Sequence, residues 1–337
     1  MASAQIDLAK LNIVDVHVHV GPEFGSRDHN ALSLAQELAL VNMKAVMKNH
    51  FISTTGLASL ARSITGQTSV FGSVVLNHGV GGVNVQAIRA ALSGNKDDVR
   101  IAHQEVRGKD PTVVWMPTFH SKLHLETFGH DYLPEWVGGD TRFTSSSDEV
   151  SPCEVVDGAG RVLEEVEQVL KWIAENDLVL ATSHLSKDEI TAVVRAAVAH
   201  GVGRIIITHP FFKVTDMSIQ EQQVLVDLHR QLTGGQQDHQ LYLEYTYTGK
   251  TIDGIGFERY AEAINQIGPE HVILSSDAGQ TRWPRDLQGQ PVDGGVEALS
   301  VTECWKVFIQ DLAQVGISET GIVQMASTNP SRLLGID

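Results

Sequence analysis

Short runs of apolar and β-branched residues recur along the chain, and most of them are followed by a segment with apolar residues at helical spacing. Each run has about the length of a strand that is buried on both faces, as the strands of a parallel sheet are. The pattern predicts strands at Ile13–Val20, Lys44–His50, Val70–Asn77, Thr112–Thr118, Leu178–His184, Arg204–His209, Gln240–Tyr247 and His271–Asp277.

Helices are predicted in most of the intervals between these strands. Ser186 and Glu189 have the spacing of a capping box, which predicts a helix that extends to Gly201. Near the C-terminus, Asn329-Pro330 predicts a break in the chain before a short final turn. Further helices are predicted at Leu32–Met43, Val162–Ala174, Gln220–Leu232, Phe257–Ile267 and Val296–Val315.

The alternation of strands and helices predicts the fold class. Strands that alternate with helices pair in parallel, and eight of them favour closure into an α/β (β/α)₈ TIM barrel, here a single domain over residues 1–337. An open doubly wound sheet is the alternative. It would usually carry a Gly-rich phosphate turn after its first strand, and the segment Val18-His19-Val20-Gly21-Pro22 is no such turn.

Two segments are longer than barrel closure requires. Residues 119–160 follow the fourth predicted strand, and residues 279–295 follow the eighth. Long loops after barrel strands carry lids and substrate contacts, so both segments are predicted to be substrate loops. The longer one could instead make contacts between subunits of an oligomer.

Composition excludes several classes of partner. Lys and Arg total 25 against 41 Asp and Glu, and no basic cluster of the kind that binds nucleic acid is present. The sequence has no signal-peptide pattern and no apolar run of the roughly 20 residues that span a bilayer. Cys153 and Cys304 are too few for a disulfide framework. We therefore expect a soluble, cytoplasmic homo-oligomer that acts on a small molecule.

Two histidines near the end of the first predicted strand, His17 and His19, point to the same face because side chains alternate along a strand. Imidazole is a ligand of zinc, iron and manganese. In a chain with 15 histidines the His-x-His spacing alone is weak evidence. The pair could equally be ordinary polar residues of a barrel.

Three more strand ends make the pattern specific. His184 ends the fifth predicted strand, His209 the sixth and Asp277 the eighth. Each alone could be a hydrogen-bonded histidine or a capping aspartate. Because the C-terminal ends of barrel strands meet at one rim, the five residues together predict a divalent metal site there. Zinc is the expected ion, with manganese or iron as alternatives.

These residues resemble a known pattern. Asp15-Val16-His17-Val18-His19, with His184, His209 and Asp277, is similar to the metal-binding pattern of the amidohydrolase superfamily, and the likeness extends from residue 13 to residue 335. The resemblance implies a TIM-barrel enzyme in which a metal-activated water attacks an amide-like or cyclic C–N bond, or an ester. It also implies that Asp277 accepts the proton of that water and passes it to the leaving group.

The predicted fourth strand departs from this pattern. Two-metal members of the superfamily usually take a carboxylated Lys or a Glu from that strand, and Thr112–Thr118 contains neither. Lys48, near the end of the second strand, is the predicted substitute, because some members take the bridging ligand from there. Without that bridge one metal remains, with His209 as an acid/base group. This arrangement resembles aminocarboxymuconate semialdehyde decarboxylase and its relatives, so non-oxidative decarboxylation is the alternative reaction.

Several other polar residues are candidates for contact with substrate or ligands. Glu244 on the seventh strand either orients a ligand histidine or satisfies helix donors outside the barrel. Four histidines are predicted to lie on the surface at the opposite end of the barrel: His200, His229, His239 and His271. The predicted substrate contacts are His50, His120, Tyr247 and Arg282.

Overall fold

The computed structural model describes residues 7–95, 110–133, 137, 140–236, 238–280 and 299–336. Within these residues eight strands form one sheet, and their order in the sheet follows the chain. The strands are β1 (Val14–His19), β2 (Lys44–Lys48), β3 (Val70–Val75), β4 (Thr112–Trp115), β5 (Val179–Ala181), β6 (Arg204–Ile207), β7 (Gln240–Thr246) and β8 (Val272–Ser275). Neighbouring strands pair in parallel throughout. The predicted strands and the (β/α)₈ barrel are confirmed.

The sheet closes where the chain that follows β8 meets β1. The amide of His19 donates to the carbonyl of Ala278 at 2.8 Å, and the amide of Asp277 donates to the carbonyl of His17 at 2.9 Å. Closure therefore brings the candidate ligand from the last strand beside the pair from the first strand.

Helices cover the outside of the barrel. The described helices are α1 (Ala31–Ala39), α2 (Thr55–Thr65), α3 (Val85–Gly94), α4 (Lys122–Phe128), α5 (Glu164–Glu175), α6 (Lys187–Ala199), α7 (Ile219–Thr233), α8 (Thr248–Asp253), α9 (Phe257–Ile267), α10 (Val301–Gln314), α11 (Glu319–Val323) and α12 (Asn329–Leu334). The predicted capping box is present at the start of α6, where the hydroxyl of Ser186 accepts from the amide of Glu189. Sequence patterning did not predict α2, α3, α4 or α8.

The strands are shorter than predicted at their C-terminal ends. Three of the predicted strand-end residues have positive φ, namely Ser183 (55°), His209 (24°) and Asp277 (52°). This left-handed conformation is uncommon for residues other than glycine and occurs often at functional sites. The chain therefore leaves the sheet just where the candidate ligands lie.

A compact apolar core fills the interior of the barrel. Val16, Trp115, Ile206 and Ile273 are fully buried there, and Leu333 of α12 packs against them. A larger apolar cluster lies between the outer face of the sheet and the helices. The interior core supports the polar residues at the C-terminal ends of the strands, since packed interiors resist displacement of the groups they hold.

The predicted chain break at Asn329-Pro330 is wrong. Asn329 has helical angles, and the backbone remains helical from Glu319 to Leu334, with a π-helical turn at Gln324–Thr328. Pro330 directly follows the π-helical turn, where the regular pattern of helical hydrogen bonds is already interrupted, so the missing amide is accommodated there.

The expected surface position of His229 is also wrong. Its side chain lies on the buried face of α7 with Leu225 and Val226, and only 6% of the residue is exposed. With His229, the residues His239 and His271 line a cavity at the opposite end of the barrel from the candidate ligands.

Among the described residues, no helix combines the length and the apolar character that a membrane crossing requires.

Candidate metal centre

An irregularity in β1 directs both of its histidines into the barrel. The pairing of β1 with β2 shifts register between Asp15 and Val18. Asp15 faces outward, where it accepts a hydrogen bond from Trp305 of α10 at 2.7 Å. Uninterrupted alternation would send His17 to that same side. Because the register shifts, His17 and His19 both line the interior cavity, as expected of a bulge beside a functional site.

Three candidate ligand atoms converge in this cavity. His17 Nε2 lies 3.2 Å from His19 Nε2, and Asp277 Oδ1 lies 3.2 Å and 2.9 Å from these two nitrogens respectively. All three residues are buried. The structure thus brings together residues from the first and last strands of the barrel, which are about 260 positions apart in the chain.

The other ring nitrogen of His17 is fixed by Glu244 of β7. His17 Nδ1 lies 3.0 Å from Glu244 Oε1, which also accepts a hydrogen bond from the hydroxyl of Ser275 at 2.6 Å. Burial raises the pKa of Glu244, but His17, His209 and the hydrogen bond from Ser275 together outweigh burial and hold the pKa below its usual range. An ionised Glu244 requires the proton of His17 on Nδ1, so that Nε2 is free to bind a cation.

We expect Glu244→Gln to weaken zinc binding by about 10- to 100-fold, as loss of a carboxylate behind a ligand histidine usually does. Glutamine retains the shape of the side chain and an acceptor for Ser275 but not the charge. Calorimetric titration of the metal-free protein with zinc measures the effect. Equal affinities in the two proteins would contradict the role of Glu244.

Asp277 is held in place by two further side chains. The hydroxyl of Thr248 donates to Asp277 Oδ2 at 2.6 Å, and the side-chain amide of Gln280 donates to Asp277 Oδ1 at 2.8 Å. Burial raises the pKa of Asp277, but His17 and His19 outweigh burial and hold the pKa well below its usual range. The carboxylate is therefore ionised and oriented towards the two imidazoles.

Lys48 lies on the same side of the cluster. Its Nζ is 3.0 Å from His17 Nε2 and 4.1 Å from the centre of the Trp115 ring. Burial lowers the pKa of Lys48 to about 8, although the carboxylates of Asp277 and Glu244 oppose this shift. A buried amine with a lowered pKa is more readily deprotonated than an exposed lysine.

His184 and His209 line the cavity next to the cluster. Their ring centres are 5.3 Å apart, and the His209 ring stacks on that of His17 at 5.9 Å. Burial lowers the pKa of His184 well below its usual range and that of His209 to about 4. Both imidazoles are therefore neutral at neutral pH, which is the form that binds metals.

The metal-free protein is expected to lose stability as the pH falls below about 6.5, the value of a histidine in an unfolded chain. Burial lowers the pKa of His19 and His50 well below 6.5 and that of His124 to about 3. As the pH falls, these histidines are protonated in the unfolded chain before they are protonated in the folded protein. Acid therefore favours the unfolded state. Melting temperatures of the chelator-treated protein from about pH 8 to about pH 5 test this. A constant or rising melting temperature towards acid would contradict it.

The residues of this site fit a divalent cation. Two imidazole nitrogens and one carboxylate oxygen are the donor types that zinc takes, and three such protein ligands leave a position open for substrate or water. His19 Nδ1 and His209 Nδ1 are also buried and have no hydrogen-bond partner within the described residues. Without a cation, close packing of this many polar groups away from water would be costly.

The four predicted substrate contacts have different positions. His50 lines the cavity, and its Nδ1 lies 2.9 Å from the hydroxyl of Thr118. His120 is buried outside it, beside His78. The Tyr247 ring also lies outside the cavity, where it packs against Phe257 and Phe308. Arg282, with most of the predicted loop 279–295, lies outside the described residues, as does part of the loop 119–160.

Sequence patterning missed two residues at this site. His124 of α4 is fully buried, with Nδ1 3.2 Å from His184 Nδ1. Arg27, from the loop between β1 and α1, lines the cavity and forms an ion pair with Glu23. Neither segment stands out by a hydrophobic period in the sequence, so the long-range contacts of these side chains leave no signal there.

Comparison with known proteins gives a family and a fold. Residues 12–232 match the model of a family of unknown function, DUF6282. No curated protein matches the chain. A structure from the engineering of organophosphate hydrolysis activity in a weak promiscuous lactonase aligns over 99% of this chain and 100% of its own, with 14% identity and a TM-score of 0.50.

Two solved structures from Pseudomonas aeruginosa are also similar. An amidohydrolase has 11% identity and a TM-score of 0.48 over 98% of both chains. The probable dipeptidase PvdM has 11% identity and a TM-score of 0.49, over 97% of this chain and 96% of its own. At such identities the likeness concerns the fold alone.

Proposed function

We propose that this chain, which belongs to the family of unknown function DUF6282, is a metal-dependent hydrolase of a small molecule with an amide-like or cyclic C–N bond, or an ester. The observation that carries the proposal is the convergence of His17, His19 and Asp277 within 4.8 Å of one another. Zinc is the ion we propose, because its ligands are most often imidazole and carboxylate groups in such an open site.

Three residues of the site would have separate roles in hydrolysis: Asp277, Glu244 and His209. A divalent cation, when bound, lowers the pKa of a water molecule and polarises a substrate oxygen. Asp277, ionised and held by Thr248 and Gln280, is placed to accept the proton of the attacking water and to return it to the leaving group. Glu244 holds His17 in the tautomer that leaves Nε2 free. His209 is neutral and lines the same cavity, so one of its ring nitrogens can accept a proton.

Lys48 is proposed as an additional ligand after carboxylation. Its deprotonated amine would attack carbon dioxide and release one proton, which gives a carbamate in place of the missing acidic residue on β4. The proximity of Nζ to His17 Nε2 and its lowered pKa support this role. Mass spectrometry under native conditions, with and without bicarbonate, would detect the added carbon dioxide.

Non-oxidative decarboxylation is the second candidate. It is favoured by one observation: among the described residues, the tight cluster contains His17, His19 and Asp277, while His209 lies outside it. A single-metal site with His209 free as an acid/base group would suit that reaction.

The test is a screen of the zinc- or manganese-loaded protein against lactones, cyclic amides, esters and aromatic carboxylic acids in ¹⁸O-labelled water. Hydrolysis predicts that one labelled oxygen enters the product. Release of carbon dioxide with no label in the organic product would favour decarboxylation. Asp277→Asn, with its metal retained, should lose about 10²- to 10⁴-fold in kcat, the usual contribution of a general acid/base group. A protein that takes up no metal and turns over none of these compounds would contradict both reactions.

A further inference from the structure

The cavity above the candidate metal ligands His17, His19 and Asp277 has a volume of about 250 Å³. This is slightly below the roughly 300–1,000 Å³ of pockets that hold drug-sized ligands. A substrate of one ring with few substituents would fill it. What lines the cavity therefore bears on the class of substrate.

Aromatic side chains form one wall. The ring of Phe119 lies 4.5 Å from that of Tyr132 and 4.0 Å from that of His50, while Phe128 and Phe212 extend the wall towards the mouth. Aromatic faces of this kind favour a flat, apolar or aromatic body, which they bury with little loss of side-chain freedom.

Arg27 supplies a fixed positive charge in the same cavity. Its side chain is 7% exposed and forms an ion pair with Glu23, which is itself fully buried. Glu23 Oε2 in turn accepts a hydrogen bond from the amide of His50 at 2.9 Å. A guanidinium held in this way loses little freedom when it binds a ligand, since its position is set in advance.

Arg27 lies next to the candidate ligands. Its backbone forms an isolated β-bridge with Gln280, whose side-chain amide donates to Asp277 Oδ1 at 2.8 Å. An anion bound by Arg27 would therefore lie beside these ligands. Lys213 lines the mouth, 4.8 Å from the Phe128 ring, and is exposed to solvent.

The surroundings of Arg27 favour a singly charged group, such as a carboxylate, over a doubly charged group. Glu244, Asp253 and Asp277 also line it, and their carboxylates would repel a doubly charged phosphate more strongly than a carboxylate. The planar fork of arginine matches a carboxylate through two parallel hydrogen bonds.

We infer that the substrate is a cyclic, largely apolar compound that carries a carboxylate. Arg27 binds this carboxylate, and the reacting group faces the candidate metal ligands. The inference rests on the proposed function and narrows it to one substrate class. Arg27 acts here as a specificity-determining residue.

The test compares two probes on the zinc-loaded protein by calorimetry. Isophthalate has one carboxylate for the metal and a second for Arg27, whereas 3-carbamoylbenzoate replaces the second carboxylate with a neutral amide of the same shape. We expect isophthalate to bind about 10- to 100-fold more tightly, the usual effect of a charge-assisted hydrogen bond. Equal affinities in the unmodified protein would overturn the inference, whatever happens to any variant.

Two variants assign the preference to Arg27. In Arg27→Gln the preference for isophthalate should fall to about 1, and in Arg27→Lys, which keeps the charge without the fork, it should be intermediate. Lys213→Gln is the control and should retain the full preference. A preference that survives Arg27→Gln would overturn the role of Arg27, and tighter binding of 3-phosphonobenzoate than of isophthalate would overturn the choice of a carboxylate.

Zinc uptake, measured first, separates this inference from the proposed function. A protein that binds zinc but does not prefer isophthalate leaves the hydrolase proposal standing and removes the inference. If no zinc is taken up, the proposed function fails, and the ratio of the two affinities on the metal-free protein decides the inference by itself.

Discussion

His17→Asn is expected to lower zinc affinity by more than 100-fold. Loss of a residue that only orients a ligand, such as Glu244, can cost roughly 100-fold, and His17→Asn removes the ligand itself. His17 contacts His19 and Asp277 through Nε2, and Glu244 through Nδ1. The amide nitrogen of asparagine can still donate to Glu244 from about the position of Nδ1. The substitution therefore removes the nitrogen that faces the cluster while the buried carboxylate keeps a partner.

The matched control is His200→Asn, a histidine at the other end of the barrel that pairs with Glu167. It should bind zinc as the unmodified protein does, and circular dichroism should show that both variants are folded. Zinc titration of the three proteins gives the answer. If His17→Asn bound stoichiometric zinc at unchanged affinity, the zinc site would not include His17.

Gly279→Ala is expected to cause the largest loss of stability among single substitutions near the site. A Cβ on Gly279 would lie 2.1 Å from the carbonyl oxygen of His19, and its φ of +87° disfavours any side chain. The strained backbone costs about 1–2 kcal/mol, and a clash with main chain adds roughly 3 kcal/mol, the upper end of typical overpacking costs. Relief of the clash would push the chain after β8 away from β1, so Asp277 would move as well.

Gly316→Ala separates the two contributions. Gly316 also has a positive φ, +93°, but a Cβ there would have nothing within 4 Å. In chemical denaturation, the free energy of unfolding of Gly316→Ala should therefore fall only by the backbone contribution of about 1–2 kcal/mol. If the two alanine variants were equally stable, the tight contact between the last and first strands would not exist as described.

The barrel was predictable because its strands are buried on both faces. A strand such as Arg204–Ile207 is nearly all apolar, and His209, which lines the cavity, lies just after it. The candidate ligands were identifiable for the same reason, since they stand at the ends of those runs. The register shift in β1 was not visible, although the inward position of His17 depends on it.

Residues outside the barrel strands were the ones that patterning placed badly. His124 and Arg27 reach the cavity through contacts with residues far away in sequence, and no periodicity marks them. Tyr247 was expected at the cavity, but it follows Thr246, which lines the cavity, and alternation turns the next side chain outward against Phe308. Composition identifies which residue types can bind metal, whereas packing decides which of them meet.

Anomalous diffraction from crystals of the zinc-loaded protein, recorded on both sides of the zinc absorption edge, tests the proposed metal centre most directly. We predict a peak at bonding distance, about 2.0–2.2 Å, from nitrogens of His17 and His19 and an oxygen of Asp277. A fully loaded crystal with no peak at these three residues, or with its zinc bound only at the far end of the barrel, would contradict the proposed centre.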